Sequence, residues 1–258
     1  MFAKNFIHPT DKALTEKIFE IESLRSWLEE AHEEEFDEVC AYVYSASLPE
    51  ITDEALVKMM NLACEKFEIP PVKLYLKRSY EFDVETVGYH EPVIILPAAL
   101  VERGDAEIIQ GRIFSAAAAI VAKHPRLAFL LWLAENLGGV MNFPIIGTAA
   151  MVFFYEWNRA RQYSLDRAFL MGTENFSLSL KNILYGVVPF EVLENFSFDE
   201  GNDSFLEQSQ RYMQNDNLAQ ILGRAYSFFM DYAWLPSRYE ELKNFYAEME
   251  SDTNAFAF

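Results

Sequence analysis

Cysteine is nearly absent: Cys40 and Cys64 are the only two in 258 residues, and they form no C-x-x-C pair. That argues against a disulfide-built scaffold and predicts a reduced, cytoplasmic setting with both thiols unpaired. Positive charge is also short, with 21 Lys and Arg against 40 Asp and Glu and a formal net charge of −19. Such a field repels phosphate backbones and excludes nucleic acid as an expected partner. It leaves two readings, high solubility or a surface that meets a basic partner. The four histidines (His8, His32, His90 and His124) are scattered, with no pair four residues apart. No G-x-S-x-G elbow and no phosphate-binding loop occurs. The opening "MFAKNFIHPTDKALTEKIFE" lacks the unbroken apolar stretch of a signal peptide. Long apolar runs are missing too, apart from the uncharged segment 136–155 between Glu135 and Glu156. It has the length of a membrane span, but Asn136, Asn142, Pro144, Thr148 and three glycines dilute it, and no Lys/Arg cluster flanks it. A buried loop followed by a helix is the expectation, with a membrane span as the alternative.

What is present is apolar mass: 51% hydrophobic residues and 15% aromatic ones, enough for a substantial core. Leu14, Ile18, Ile21, Leu24, Leu28 and Ala31 recur at helical spacing, and Glu16, Glu20, Glu22, Glu29 and Glu30 occupy the other face. This acidic face is either solvated or a dock for a basic partner. Thr52 or Asp53 can cap a second helix carrying Leu56, Met59, Met60 and Ala63, bounded beyond by Pro70 and Pro71. "VKLYLKR" alternates as a strand, and "PVIILPAAL" reads as a second, more buried one. Asp105 is a plausible N-cap for a helix through roughly Lys123, ended before Pro125. His124 then reads as a helix-end cation favoured by the dipole. Further helices are predicted over Ala149–Met171, Leu178–Tyr185 and within 217–249, where Leu218, Ile221, Leu222, Phe228 and Phe229 would face inward. The fold class is α+β, mainly helical, with a small early sheet. The expected organisation is an acidic helical extension over residues 1–47 and a domain over 48–258.

The order helix, strand, loop, apolar strand, helix, helix resembles the zincin half of a gluzincin. Over roughly residues 48–240 the chain is similar to the family-48 zinc metallopeptidases of the HtpX and CAAX-prenyl-protease type. "WNRARQYSLDRAFLM" carries the sharpest likeness. Where the family has W-x-R-x-x-E-x-x-A-D-R-A, this chain supplies Trp157, Arg159, Asp166, Arg167 and Ala168. "LAQILGRAYSFFMDYA" resembles a late family helix that carries an Arg, and "PVIILP" resembles the edge strand on which substrate is laid. The resemblance implies a zincin-like fold and a zinc site built from H-E-x-x-H plus a later Glu.

The ligands of that site are missing. With Gly111 placed on the glycine that often precedes the motif, Arg112 and Ala116 stand at the two His positions and Ile113 at the general base. Shifting by two residues substitutes Phe114, Ser115 and Ala118, which serve no better. At the third ligand stands Gln162, a neutral amide that binds zinc poorly. No metal or cofactor is therefore expected, and no catalytic residue is assigned. The paired carboxylates Glu81 and Asp83 read as part of a solvated loop. In the family the Asp four residues after the third ligand supports the first His. Its counterpart Asp166 is expected to contact Arg112 instead, the alternative being an outward Arg112 with Asp166 paired to Arg159 or Arg167. The leading expectation is a catalytically inactive relative that binds a peptide or protein partner by strand addition. Two other readings stay open. One is a structural subunit assembling through the acidic N-terminal helix; the other is an enzyme of unrecognised chemistry or retained peptidase activity.

Overall fold

The computed structural model describes residues 6–22, 42–43, 46–79, 83–88, 90–137, 148–185 and 235–255. The first predicted helix is present as α1, Pro9–Phe19, which buries Leu14 and Ile18 and leaves Glu16 and Glu20 exposed. Leu24, Leu28, Glu29, Glu30 and Ala31 lie outside the described residues. So do Cys40, Glu81, residues 138–147 of the uncharged segment and the predicted inward residues of 217–234. Helix α2, Glu54–Phe67, starts where Asp53 caps it, its Oδ1 accepting from Ala55 N and Leu56 N at 3.0 Å each. It ends where Glu68 turns left-handed at φ 55°.

Three strands follow: β1 (Lys73–Lys77), β2 (Glu85–Val87) and β3 (Val93–Pro97), in spatial order β1-β3-β2. β3 runs parallel to β1, with Leu74 opposite Ile94, and antiparallel to β2, with Thr86 opposite Ile94. "PVIILP" is therefore the central strand, which corrects its expected place at the edge. All five residues of β3 are buried, because a strand covered on both faces needs apolar side chains throughout rather than alternation. The edges are β1, whose outer side is met by residues 49–51, and the short β2.

After the short α3 (Ala98–Arg103), α4 spans Ala106–Val121 from the expected start at Asp105, although no side-chain cap bond forms there. Lys123 takes φ 61° and ends it, and α5, His124–Leu137, leaves at 79° with Pro125 in its first turn. Helix α6 (Thr148–Thr173), α7 (Phe176–Tyr185) and α8 (Leu235–Ala255) complete the mainly helical architecture. Among the described residues no single helix is long and apolar enough to cross a membrane; α4 and the start of α5 reach that composition only as a bent pair.

Helices α4 and α6 interlock through two glycines. A Cβ on Gly111 would stand 2.5 Å from the Phe169 ring, and one on Gly172 would stand 2.5 Å from Phe114. Gln110 Nε2 donates to Gly172 O (2.8 Å) and Ser115 Oγ to Leu165 O (2.8 Å), so the two helices run antiparallel. The main core joins this interface to α2, β3 and α8, and includes Phe6. A second cluster packs Leu14 and Ile18 against Leu127, Leu130, Phe154 and Trp157. Phe6 thus joins the main core, and Leu14 and Ile18 the second.

Candidate functional site

The alanines of α4 leave room where its second half passes β2. Thr86 Oγ1 donates to Ala116 O at 3.3 Å, fastening the edge strand to the helix. Beside this contact opens a cavity of about 750 Å³, bounded by β2, α4, the start of α5, α6, α7 and α8. Arg112, Ala116, Gln162 and Asp166 all line it, so four of the positions picked from the sequence share one space. Ile113 does not: it is fully buried in the main core, one residue and about 100° round the helix from Arg112. In the alternative register Phe114 and Ala118 are also core residues, and the Ser115 hydroxyl is spent on Leu165 O.

The expected Arg112–Asp166 pair is not formed. Asp166 is held by Arg238 from α8, with Nε to Oδ2 at 2.8 Å and Nη2 to Oδ1 at 2.6 Å. This fork engages both carboxylate oxygens, and bidentate geometry outcompetes a single contact. The Arg238 side chain is 12% exposed and that of Asp166 4%. Burial works against the Arg238 charge, yet the Asp166 carboxylate outweighs it and holds the guanidinium pKa above its ordinary value. Arg112 reaches outward to Asp83 Oδ1 at 3.2 Å. Burial lowers its pKa, opposed first by Asp83, and its Nε has no hydrogen-bond partner. The alternative partner Arg167 is also engaged elsewhere, 3.6 Å from Glu241 and over the Phe245 ring. Arg159 takes no part in the Asp166 pair.

Arg161 lines the cavity as well, and Trp157 lies behind it. Trp157 is fully buried, and the Arg161 guanidinium lies over its ring at 5.1 Å, a cation–π stack. Sequence reasoning passed over Arg161 although it sits inside the quoted motif, next to Gln162. It also missed Arg238, whose partner is 72 residues away.

His124 needs a correction as well. It is not a solvated cation at a helix end but a buried residue, 2% exposed, at the start of α5. Its Nε2 meets Asp11 Oδ2 at 2.7 Å, and Ser164 Oγ donates to the same oxygen at 2.5 Å. Thr15 Oγ1 reaches Asp11 Oδ1 at 3.4 Å, and His8 N donates to Ser164 Oγ at 2.9 Å. Burial lowers the His124 pKa despite the opposing Asp11, and against a carboxylate oxygen its Nε2–H is the donor. Burial pushes the Asp11 carboxyl upward, but the hydrogen bond and charge of His124, with Ser164 and Thr15, hold it below its ordinary value. The His124 Nδ1 is closed off and has no partner. The chain bends 79° at Lys123, which drops His124 onto α1 rather than into water.

The positions that the resemblance assigns to zinc carry a guanidinium, a methyl group and an amide. A permanent cation repels a metal ion and an alanine offers no donor, so these residues do not fit zinc. Among the described residues no three of His, Cys, Asp and Glu converge as metal ligands. No family model matches the chain, and no curated protein and no solved structure matches it either.

Proposed function

We propose that the chain is a catalytically silent, zincin-like relative of the family-48 metallopeptidases, working in the cytoplasm as a binding protein for an extended peptide or protein segment. The observation that carries this reading is the shared cavity. Arg112, Ala116, Gln162 and Asp166 line one space beside a three-residue edge strand. Among the described residues no further strand borders β2, and an unpaired strand edge is a template for an added strand. Its neighbours supply hydrogen-bond donors and acceptors rather than a nucleophile. Ser115 is committed to a carbonyl, and Asp166 is neutralised by Arg238.

Two measurements test this. A photoreactive residue replacing Val87, beside the cavity, should capture extended peptides, whereas one replacing Leu62, 47% exposed on α2, should not. Equal capture at both positions would remove the strand-addition reading. Chelator-free protein should carry no stoichiometric zinc and should leave an unstructured protein substrate intact after zinc is added. Zinc-dependent cleavage would overturn the silent assignment, and Gln162→Glu alone should not create it.

A further inference from the structure

Three arginines, Arg112, Arg161 and Arg238, line the cavity. Arg238 is spent on Asp166, and the unspent donors are concentrated at Arg161. Arg161 is half-buried, and burial lowers its pKa. Its Nε has no hydrogen-bond partner. Among the described residues no carboxylate lies within ion-pair distance of it; Asp11 and Asp83 act on it only through space. Asp11 cannot come closer in function, because His124, Ser164 and Thr15 already engage it. Asp83 is bound by Arg112. Arg161 lies over the Trp157 ring at 5.1 Å, a cation–π contact that uses none of its N–H groups. Arg112 adds a second unpartnered Nε to the same cavity. A half-buried guanidinium with a buried, unspent Nε–H is costly unless an acceptor arrives.

We propose that Arg161, stacked on Trp157 and opening into the cavity beside Arg112, is the receptor for a carboxylate carried by the bound peptide. This rests on the peptide-binding reading for its ligand but on the cavity wall for its chemistry. A carboxylate suits the site better than a phosphate for two reasons. Its planar pair of oxygens matches a guanidinium fork. The nearby charges of Asp11 and Asp83 would also repel a dianion more than a monoanion. The carboxylate has two sources, a chain terminus or an acidic side chain, and the recognising chemistry is the same.

The test uses the full chain and three probes: N-acetyl-Val-Thr-Val with a free terminal carboxylate, its neutral amide, and N-acetyl-Val-Glu-Val amide. Titration calorimetry, with inorganic phosphate and succinate as further probes, reads the affinities. At least one carboxylate peptide should bind about tenfold more tightly than the neutral one, the gain of one charge-assisted contact. Which peptide gains identifies the source. Arg161→Gln should abolish that difference, and Arg161→Lys should keep part of it because the charge remains without the fork. Arg126→Gln, on the Phe19 ring away from this wall, should leave it unchanged. Unchanged circular dichroism and melting of Arg161→Gln establish that the variant is folded; should it not fold, Arg161→Lys with its partial loss decides. Equal binding of all three peptides overturns the carboxylate receptor while leaving peptide binding intact. Succinate binding that needs Arg161, with no peptide bound, supports the receptor and overturns the peptide reading. Preference for phosphate over succinate, or binding of no probe at all, overturns the proposal.

Discussion

Replacing His124 with alanine strips the buried Asp11 carboxylate of its link to α5. In the folded protein Asp11 is fully buried and accepts from His124 at 2.7 Å, from Ser164 at 2.5 Å and from Thr15 at 3.4 Å. Ser164 remains in the variant, so the charge is not wholly abandoned, but burial then works against it with less opposition. Removing one partner of a buried charged pair typically costs about 3–5 kcal/mol, and the vacated ring volume adds to that. For a chain of this size each kcal/mol shifts Tm by about 2–4 °C, so a fall of about 10 °C is expected in thermal denaturation. The control is Arg126→Ala, which should change Tm by only a few degrees.

Acid sharpens the test. In the parent, the folded-state pKa of His124 lies below its ordinary 6.5, so the unfolded chain binds the proton more readily. Stability from this group is present above pH about 6.5 and is lost as pH falls below it. His8, also lowered chiefly by burial, acts in the same direction in both proteins and cancels from their difference. In His124→Ala the histidine contribution disappears. Asp11, without the hydrogen bond and charge of His124 that lower its pKa most, is then pushed up by burial, and its protonation relieves the variant as pH falls. The stability gap between parent and variant should therefore narrow from about pH 7.5 to about pH 5. Asp11→Asn in the His124→Ala background should recover part of the loss, so the double-mutant cycle should be strongly non-additive. An additive cycle, or a gap that stays constant over that range, would refute the buried-pair reasoning.

Arg238→Ala should cost about 3–5 kcal/mol, because it leaves Asp166 buried with no other ion partner among the described residues. In Arg112→Ala the electrostatic loss should be only about 0–1 kcal/mol, since its partner Asp83 is 75% exposed; urea denaturation compares the two, and equal losses would argue against the assignment of Asp166 to Arg238. Gly111→Ala should destabilise by about 1–3 kcal/mol, because its Cβ would meet the Phe169 ring at 2.5 Å. A Phe169→Leu companion should recover part of that loss if the ring is the obstacle.

Elements carried by local periodicity were legible in the sequence. Asp53 caps α2 as its position suggested, and the apolar "VIILP" is a buried strand. Its place in the sheet was not legible, because apolar character reports covered faces and not the number of strand neighbours. β2 carried almost no signal: Glu85, Thr86 and Val87 are all half-buried, and three residues show no alternation. The helix-terminal reading of His124 failed for a different reason. The Pro125 break was visible, but the direction of the 79° turn depends on packing between α1, α5 and α6. Nothing in the sequence near His124 names Asp11 as its partner.

A carboxylate on an inward helical face must find a cation when buried, and the requirement held for Asp166. The identity of that cation depended on which chain segment passes at the right height, and α8 brings Arg238 there from 72 residues away. Arg112 is on a neighbouring helix, yet the glycine interlock sets its distance. With Gly111 against Phe169 and Gly172 against Phe114, the helices close tightly at one end of their contact. Further along α4, Ser115, Ala116 and Ala119 are too short to fill the space facing Arg161, Gln162 and Asp166. The same preference for small residues thus closes the helix pair at one end and opens the cavity at the other. Arg112, on the cavity's rim, has room to turn toward Asp83 and solvent, while Arg161 is held in by the face of Trp157. Of these two guanidiniums, the one whose local sequence drew attention is largely satisfied by a surface aspartate, and the overlooked one keeps its donors for a ligand.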